Sequence, residues 1–271
     1  MEKLQAALEK ARMKRGDGSF AISGDTARSP DQKTRQPTRR DEQWTALKQM
    51  ELSAKALEKH RVVTKEAGTA AAPFDILRTK ILVQMRQNGW RRLAITSPMP
   101  QSGKTTTACN LALGLGRQSE LRTLLLDLDL RSPSMSDYFS YKPEHNVGDV
   151  LTGRVPFAEQ ALRIGDNVAV SMSHGSESDP AKLLLSQETA SRLDEIEATY
   201  NPDIMICDLP SVLVNDDTRA FLKNVDCALI VIRANQTRYG QFDTCEREIA
   251  EQTNVLGTVL NACSHALGVV G

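Results

Sequence analysis

Long apolar runs are missing from this chain. None approaches the roughly 18 residues that a membrane span requires, and the first fifteen residues, MEKLQAALEKARMKR, lack the apolar core of a signal peptide. The expectation is a cytoplasmic protein with no transmembrane segment of its own. Cysteine is scarce and scattered: Cys109, Cys207, Cys227, Cys245 and Cys263 show no C-x-x-C spacing, so they read as buried free thiols and neither a metal site nor a disulfide framework. The four histidines (His60, His145, His174 and His265) form no H-x-x-x-H pair, which leaves little for a zinc site or a catalytic triad. Net charge is also absent, but only in total. Residues 1–65 carry fifteen Lys and Arg against nine Asp and Glu, and the remainder carries nineteen against twenty-five. That split describes a basic arm on a mildly acidic globule, the arm being either a binding element or a solvated tail.

What is present, over 271 residues of which 40% are hydrophobic, suffices for one large α/β domain or two small ones. Residues 2–15 place Leu4, Ala7, Leu8 and Ala11 on one helical face. Residues 16–40 have linker composition, and 41–61 read as a second helix with Trp44, Leu47, Met50, Leu52 and Leu57 as its apolar residues. Residues 1–68 are therefore expected to be a partly disordered helical arm, and 69–271 the globular domain. A helix over 73–87 opens on Pro73 and ends at Asn88-Gly89. Strands are then expected near 92–97, 122–128, 167–172, 203–208, 226–233 and 255–262, alternating with helices near 103–117, 147–152, 181–199, 216–223 and 238–252. Several strands are continuous apolar runs (LLLDL, DIMIC, CALIVI), as in a sheet covered on both faces. The fold class expected is α/β, a doubly wound and mostly parallel sheet with helices on both faces, binding ligands at the carboxyl ends of its strands.

Residues 92–113 read RLAITSPMPQSGKTTTACNLAL. A short apolar strand, a polar loop and a helix opened by Gly103-Lys104-Thr105-Thr106 make the context of a phosphate-binding loop, although Pro98 stands where the first glycine of G-x-x-x-x-G-K-[ST] belongs. The unpaired N–H groups and the dipole at such a helix start attract anions. Ser102, Gly103, Lys104, Thr105 and Thr106 are the candidate phosphate-binding residues, with the Thr105 hydroxyl placed to ligate Mg²⁺. Asp127 and Asp129 leave the apolar strand LLLDLDLR two residues apart. In extended structure they face the same way, where one can hold metal-bound water and the other can accept a proton. Asp208 ends the run IMICDLP, a Walker B arrangement that would bind Mg²⁺ opposite Thr105, with Pro210 stopping the strand.

The set SPMPQSGKT, LLLDLDLR and IMICDLP resembles the three Walker motifs of the bacterial tyrosine kinases, P-loop kinases related to MinD- and ParA-type ATPases that regulate capsule and exopolysaccharide synthesis and export. The resemblance covers residues 70–263. It extends to Asp179-Pro180-Ala181-Lys182-Leu183-Leu184, to Val231-Ile232-Arg233-Ala234-Asn235-Gln236-Thr237 and to Val259-Leu260-Asn261. It implies that ATP or ADP and Mg²⁺ are the cofactors, that Lys104, Asp127, Asp129 and Asp208 are catalytic, and that Thr105, Asp127 and Asp208 face the metal. Asn261 is implied to contact the base, or else simply caps its strand. MinD- and ParA-type ATPases place a second lysine five residues before the invariant one. Here that position is Met99, as in the kinase branch.

Two positions depart from the family pattern. The chain ends NACSHALGVVG without the family's tyrosine-rich tail, and its only tyrosines are Tyr138, Tyr141, Tyr200 and Tyr239. Tyr138 and Tyr141, in a polar loop after Arg131, are read as loop tyrosines packed on the surface, and failing that as the least implausible self-targets. The ring-forming E-x-x-R-x-x-R is reduced to Ala72, Asp75 and Arg78. The leading expectation is an ATP- and Mg²⁺-dependent protein tyrosine kinase that serves exopolysaccharide production. It would be recruited to the inner face of the membrane by a polysaccharide co-polymerase, with homo-oligomerisation left open. The alternative is an ATP switch that gates the export complex without phosphorylating protein. A nucleic-acid or membrane-surface partitioning ATPase is the third reading. Met99 argues against it, and no nucleic-acid partner is expected.

Overall fold

The computed structural model describes residues 39–263. The helix expected over 2–15 and nearly all of the linker expected over 16–40 lie outside them. Eight strands form one sheet: β1 (Lys48–Gln49), β2 (Arg92–Ser97), β3 (Thr123–Asp127), β4 (Leu162–Ile164), β5 (Val168–Ser171), β6 (Ile204–Ser211), β7 (Cys227–Arg233) and β8 (Asn254–Asn261). Their spatial order is β1-β4-β5-β3-β6-β2-β7-β8, and every pairing is parallel except β4 with β5. The six strands expected from the sequence are all present. The strands β1 and β4 were not expected, because two or three residues carry no readable alternation.

Alternation along the central strands divides the core in two. Leu124, Leu126, Met205 and Cys207 pack with Trp44, Phe157, Leu193, Tyr200 and Phe221 on one side of the sheet. Leu125, Ile204, Ile206, Leu93 and Ile95 pack with Ile81, Met85, Leu111 and Leu115 on the other. Both faces of the sheet are therefore dry, which is why these strands read as unbroken apolar runs.

The stretch 41–61 is not one helix. It forms α1 (Arg39–Thr45), β1, and α2 (Ala54–Lys59). Ser53 restarts the helix by accepting from Ala56 N at 3.3 Å, a cap that the apolar spacing concealed. Nor does this stretch behave as an arm. Trp44, Leu47, Met50 and Leu57 are buried, Trp44 Nε1 donates to the Asp166 carbonyl at 2.8 Å, and Met50 N donates to the Arg163 carbonyl at 2.7 Å. The next helices are α3 (Ala72–Asn88), closed by Gly89 at φ 69°, and α4 (Lys104–Gly116). The helix expected over 181–199 is two, Pro180–Leu185 and α5 (Gln187–Tyr200), separated where Ser186 caps α5 by accepting from Thr189 N at 3.1 Å. The last helix is α6 (Tyr239–Ala250).

Pro210 does not end β6. The strand runs on to Ser211 because the β2–β6 register slips between Ile95 and Ser97, relieving the ladder of the missing N–H. The Pro210 carbonyl accepts instead from the hydroxyls of Thr96 and Thr218, each at 2.7 Å.

Trp44 sits edge-on to Tyr200 at 6.4 Å between centroids and is 1% exposed. Trp44→Ala should cost about 3–5 kcal/mol in urea unfolding. A loss below about 1 kcal/mol would show that residues 39–50 are peripheral after all.

Candidate functional site

Strand β2 ends at Ser97, and the chain turns through Pro98–Gly103 into α4. Two hydroxyls close this loop without a first glycine. Ser97 Oγ and Ser102 Oγ both donate to the Met99 carbonyl, at 2.7 and 2.8 Å. Gly103 sits at φ 91°, and a Cβ there would meet Asn261 Nδ2 at 2.0 Å, so backbone angle and space both demand glycine. Asn261 Nδ2 donates to the Ser102 carbonyl at 2.9 Å, and Arg233 Nη1 to that of Gln101 at 3.0 Å. The ends of β7 and β8 thus hold the loop from outside.

Lys104 opens α4 as a buried side chain, and its Nζ donates to Ser211 Oγ at 3.2 Å. Ser211 in turn lies 3.1 Å from Ser97 Oγ. Asp127 and Asp208 stand opposite each other at the ends of β3 and β6, 1% and 0% exposed. Among the described residues, no donor meets either oxygen of Asp208 or Oδ1 of Asp127 at full hydrogen-bond geometry, while Asp127 Oδ2 accepts from Met135 N at 3.3 Å. Thr105 faces the Asp208 carboxyl. The expectation that Asp127 and Asp129 extend from one strand holds only for Asp127. The strand stops there, and Asp129 lies beyond it, partly open, accepting from Ser132 N at 3.1 Å.

Burial pushes the Asp208 carboxyl up to about 7, against the Thr105 hydroxyl and the Lys104 charge, and Asp129 adds repulsion. Burial, and then the charges of Asp208 and Asp129, hold Asp127 well above the ordinary carboxylate range. Asp129 is also raised by burial, with Lys104 pulling the other way. Buried carboxyl oxygens without donors are costly. A divalent cation with phosphate oxygens is the partner this set fits: Mg²⁺ is commonly held by one or two carboxylates together with substrate phosphates and water. Among the described residues there is no group of three or more His, Cys, Asp or Glu that could hold a metal ion unaided.

Beside the loop lies a cavity of about 420 Å³ lined by Arg61, Val63, Phe74, Gln101, Ser102, Gly103, Thr106, Arg233, Asn261 and Ala262. The structure therefore gathers Lys104, Thr105, Asp127, Asp129 and Asp208 at the strand ends. It places Ser102, Gly103, Thr106 and Asn261 around the adjoining cavity. Sequence reading passed over Ser211, Arg61, Val63 and the role of Phe74 as a cavity wall. Only Ser211 carried a usable signal, three residues beyond Asp208 at the same sheet end. Tyr138 is half-buried and packed, as expected, but on a short helix (Met135–Phe139) and not in a loop. Its hydroxyl lies 2.9 Å from Thr106 Oγ1 and its ring lies against His60 at 4.4 Å. Arg131 makes a two-point ion pair with buried Asp217, both contacts at 2.8 Å. Of the three motif positions only Arg78 keeps the expected residue type, and it and Asp75 are engaged within the chain. Arg78 donates to the Gly114 carbonyl at 2.8 Å, and Asp75 pairs with Arg78 and Arg117.

A parallel sheet with this loop between β2 and α4, and carboxylates at the ends of β3 and β6, defines a P-loop nucleotide-binding fold. No protein-family profile matches the chain. It is 27% identical over 202 residues to the tyrosine-protein kinase YwqD of Bacillus subtilis, covering 73% of this chain and 84% of that protein. It is 25% identical over 201 residues to the tyrosine-protein kinase Etk of Escherichia coli K12, spanning only 27% of that longer protein. Among solved structures, the VpsO kinase domain superposes with a TM-score of 0.65 at 25% identity, over 76% of this chain and 98% of that one. The Etk kinase domain gives 0.67 at 24%, over 75% and 80%. A cobyrinic acid a,c-diamide synthase from Mycobacterium smegmatis, solved with ADP and magnesium, shares the fold at a TM-score of 0.53 and 21% identity, over 63% of this chain and 73% of that one. By sequence and by fold, the chain is a relative of the bacterial tyrosine kinases. No helix among the described residues is long and apolar enough to cross a membrane.

A carboxyl whose folded-state value lies above its ordinary 3.8 takes stability away as pH rises through that interval, because the folded state binds the proton more tightly. Between pH 4 and about 7, Asp208 therefore works against the nucleotide-free fold. Asp208→Asn should be more stable than wild type at pH 8 by at least about 1 kcal/mol, and the gain should shrink toward pH 4. Urea unfolding at both values checks this; a difference independent of pH would contradict it.

Proposed function

We propose that this chain is an ATP- and Mg²⁺-dependent protein tyrosine kinase acting in exopolysaccharide production. The observation that carries the reading is the convergence of Lys104, Thr105 and three carboxylates at adjacent strand ends, in a relative of tyrosine kinases. In this reading the start of α4 and Lys104 bind the β- and γ-phosphates, and the Lys104 charge offsets the negative charge that builds up on the transferred group. Thr105, Asp127 and Asp208 hold Mg²⁺, which supplies charge neutralisation at the phosphate oxygens. Asp129, the most open of the three carboxylates, takes the proton of the incoming tyrosine hydroxyl at its side-chain oxygen. The cavity beside the loop receives the nucleoside, with Asn261 fixing the loop that borders it. Ser211 orients Lys104.

The partner in this reading is a membrane protein of the polysaccharide co-polymerase type, which brings the chain to the inner face of the membrane. A second reading, an ATP switch that phosphorylates no protein, is favoured by the tyrosines themselves. Tyr138 and Tyr141 are hydrogen-bonded and Tyr200 is buried, leaving Tyr239 as the fully exposed one.

Incubation with labelled ATP and Mg²⁺, with and without such a partner, separates the two. The kinase reading expects phosphotyrosine on the chain or the partner, reduced at least about a hundred-fold by Lys104→Ala. Nucleotide-dependent change in assembly with no phosphoprotein product would favour the switch. Equal phosphotyrosine from Lys104→Ala would reject the site.

A further inference from the structure

The two edges of the sheet are built differently. One edge is β1, two residues long and carrying Lys48, which is the ordinary way of making an edge unattractive. The other is β8, eight residues reading Asn254-Val255-Leu256-Gly257-Thr258-Val259-Leu260-Asn261, with no charge and no proline. Among the described residues only β7 pairs with it. Thr258 is exposed, and Leu260 is 54% exposed.

The backbone direction of each residue follows from the β7–β8 ladder. The Asn261 carbonyl accepts from Ala234 N at 2.9 Å, so Asn261 turns its backbone groups toward β7. In a parallel pair, alternate residues face the neighbour, so Leu260 and Thr258 present theirs outward. The register slips between Ala228, opposite Val255, and Leu229, opposite Gly257. Leu256 is thus an extra residue, and Val255 also faces outward. With the bulge set aside, the edge is symmetric about Thr258. Asn254 matches Asn261, outward Val255 matches outward Leu260, and Gly257 matches Val259.

We propose that β8 is a self-complementary interface on which a second copy of this chain docks, antiparallel, about a two-fold axis through Thr258. Thr258 faces Thr258, Val255 faces Leu260, and the two sheets become continuous through about six backbone hydrogen bonds. A neutral strand suits this, because every side chain meets its mirror mate and any charge near the axis would face its own sign. The pairing also brings Asn254 of the second copy opposite Asn261, beside the cavity next to the phosphate loop.

Sedimentation velocity on the full chain, over roughly a hundred-fold range of concentration, tests this. A concentration-dependent dimer is expected. Thr258→Pro should shift it to monomer without disturbing β7, since the lost N–H is the outward one. If that variant does not fold, Thr258→Lys decides: two lysines facing each other should give monomer, and mixing with Thr258→Glu should restore a dimer of one copy of each. A chain that stays monomeric throughout, or a dimer that survives both Thr258→Pro and Thr258→Lys, would overturn the proposal. So would a dimer that appears only after residues 264–271 are removed, which would give the edge to the chain's own last segment.

Discussion

Asp127 and Asp208 place negative charge where water cannot reach it, and the rest of the site is arranged around that cost. Both lie at the ends of strands whose side chains are otherwise apolar, in a sheet covered on both faces. Such groups either take up protons or wait for a cation. The Lys104 charge acts on both Asp208 and Asp129, and Ser211 accepts from its Nζ. Arg131 also acts on Asp129 but is paired with Asp217, so the three carboxylates outnumber the positive charge at the site. A divalent ion bound there would compensate the excess, and in the proposed reading that ion would carry a triphosphate whose oxygens meet the start of α4. On that reading phosphate and metal would be held together, each helping to keep the other in place.

This cost explains why the candidate site residues stand out in the sequence while their supports do not. A carboxylate at the end of an apolar run is anomalous on composition alone, so Asp127, Asp129 and Asp208 stand out, as does Gly-Lys-Thr at a strand-to-helix turn. The doubly wound sheet was equally plain, since buried parallel strands cannot hide their apolar runs. Tyr138 and Arg131 carry no such anomaly, and Ser211 carries only the weaker one of lying three residues beyond Asp208. Each is ordinary until the fold brings it to Thr106, Asp217 or Lys104. The misreading of Pro210 has the same source. Proline usually ends a strand, and only the slipped register beside Ser97 shows how this one is accommodated.

The segment 41–68 was misread for a different reason. Its apolar spacing fitted one helix, and nothing within it pointed to a distant partner. The real constraint is long-range. Arg122 pairs with Asp41 and stacks on Trp44, and β1 borrows its partner from β4, more than a hundred residues away. Periodicity within a window cannot register a two-residue strand whose stability comes wholly from its neighbour.

That segment also bears on the site. Asn110, fully buried on α4, accepts from Val63 N at 2.8 Å and donates to the carbonyls of Arg61 and Thr106, both at 2.9 Å. Its own carbonyl takes the Thr64 hydroxyl at 2.6 Å. One side chain thus ties the wall formed by Arg61 and Val63 to the helix that begins at the phosphate loop. His60 adds a second tie through Tyr138, whose hydroxyl meets Thr106. The wall and the loop are thus both hydrogen-bonded to α4, which sets how they stand beside the cavity. A stretch counted with the arm on its sequence therefore forms part of the pocket beside the loop.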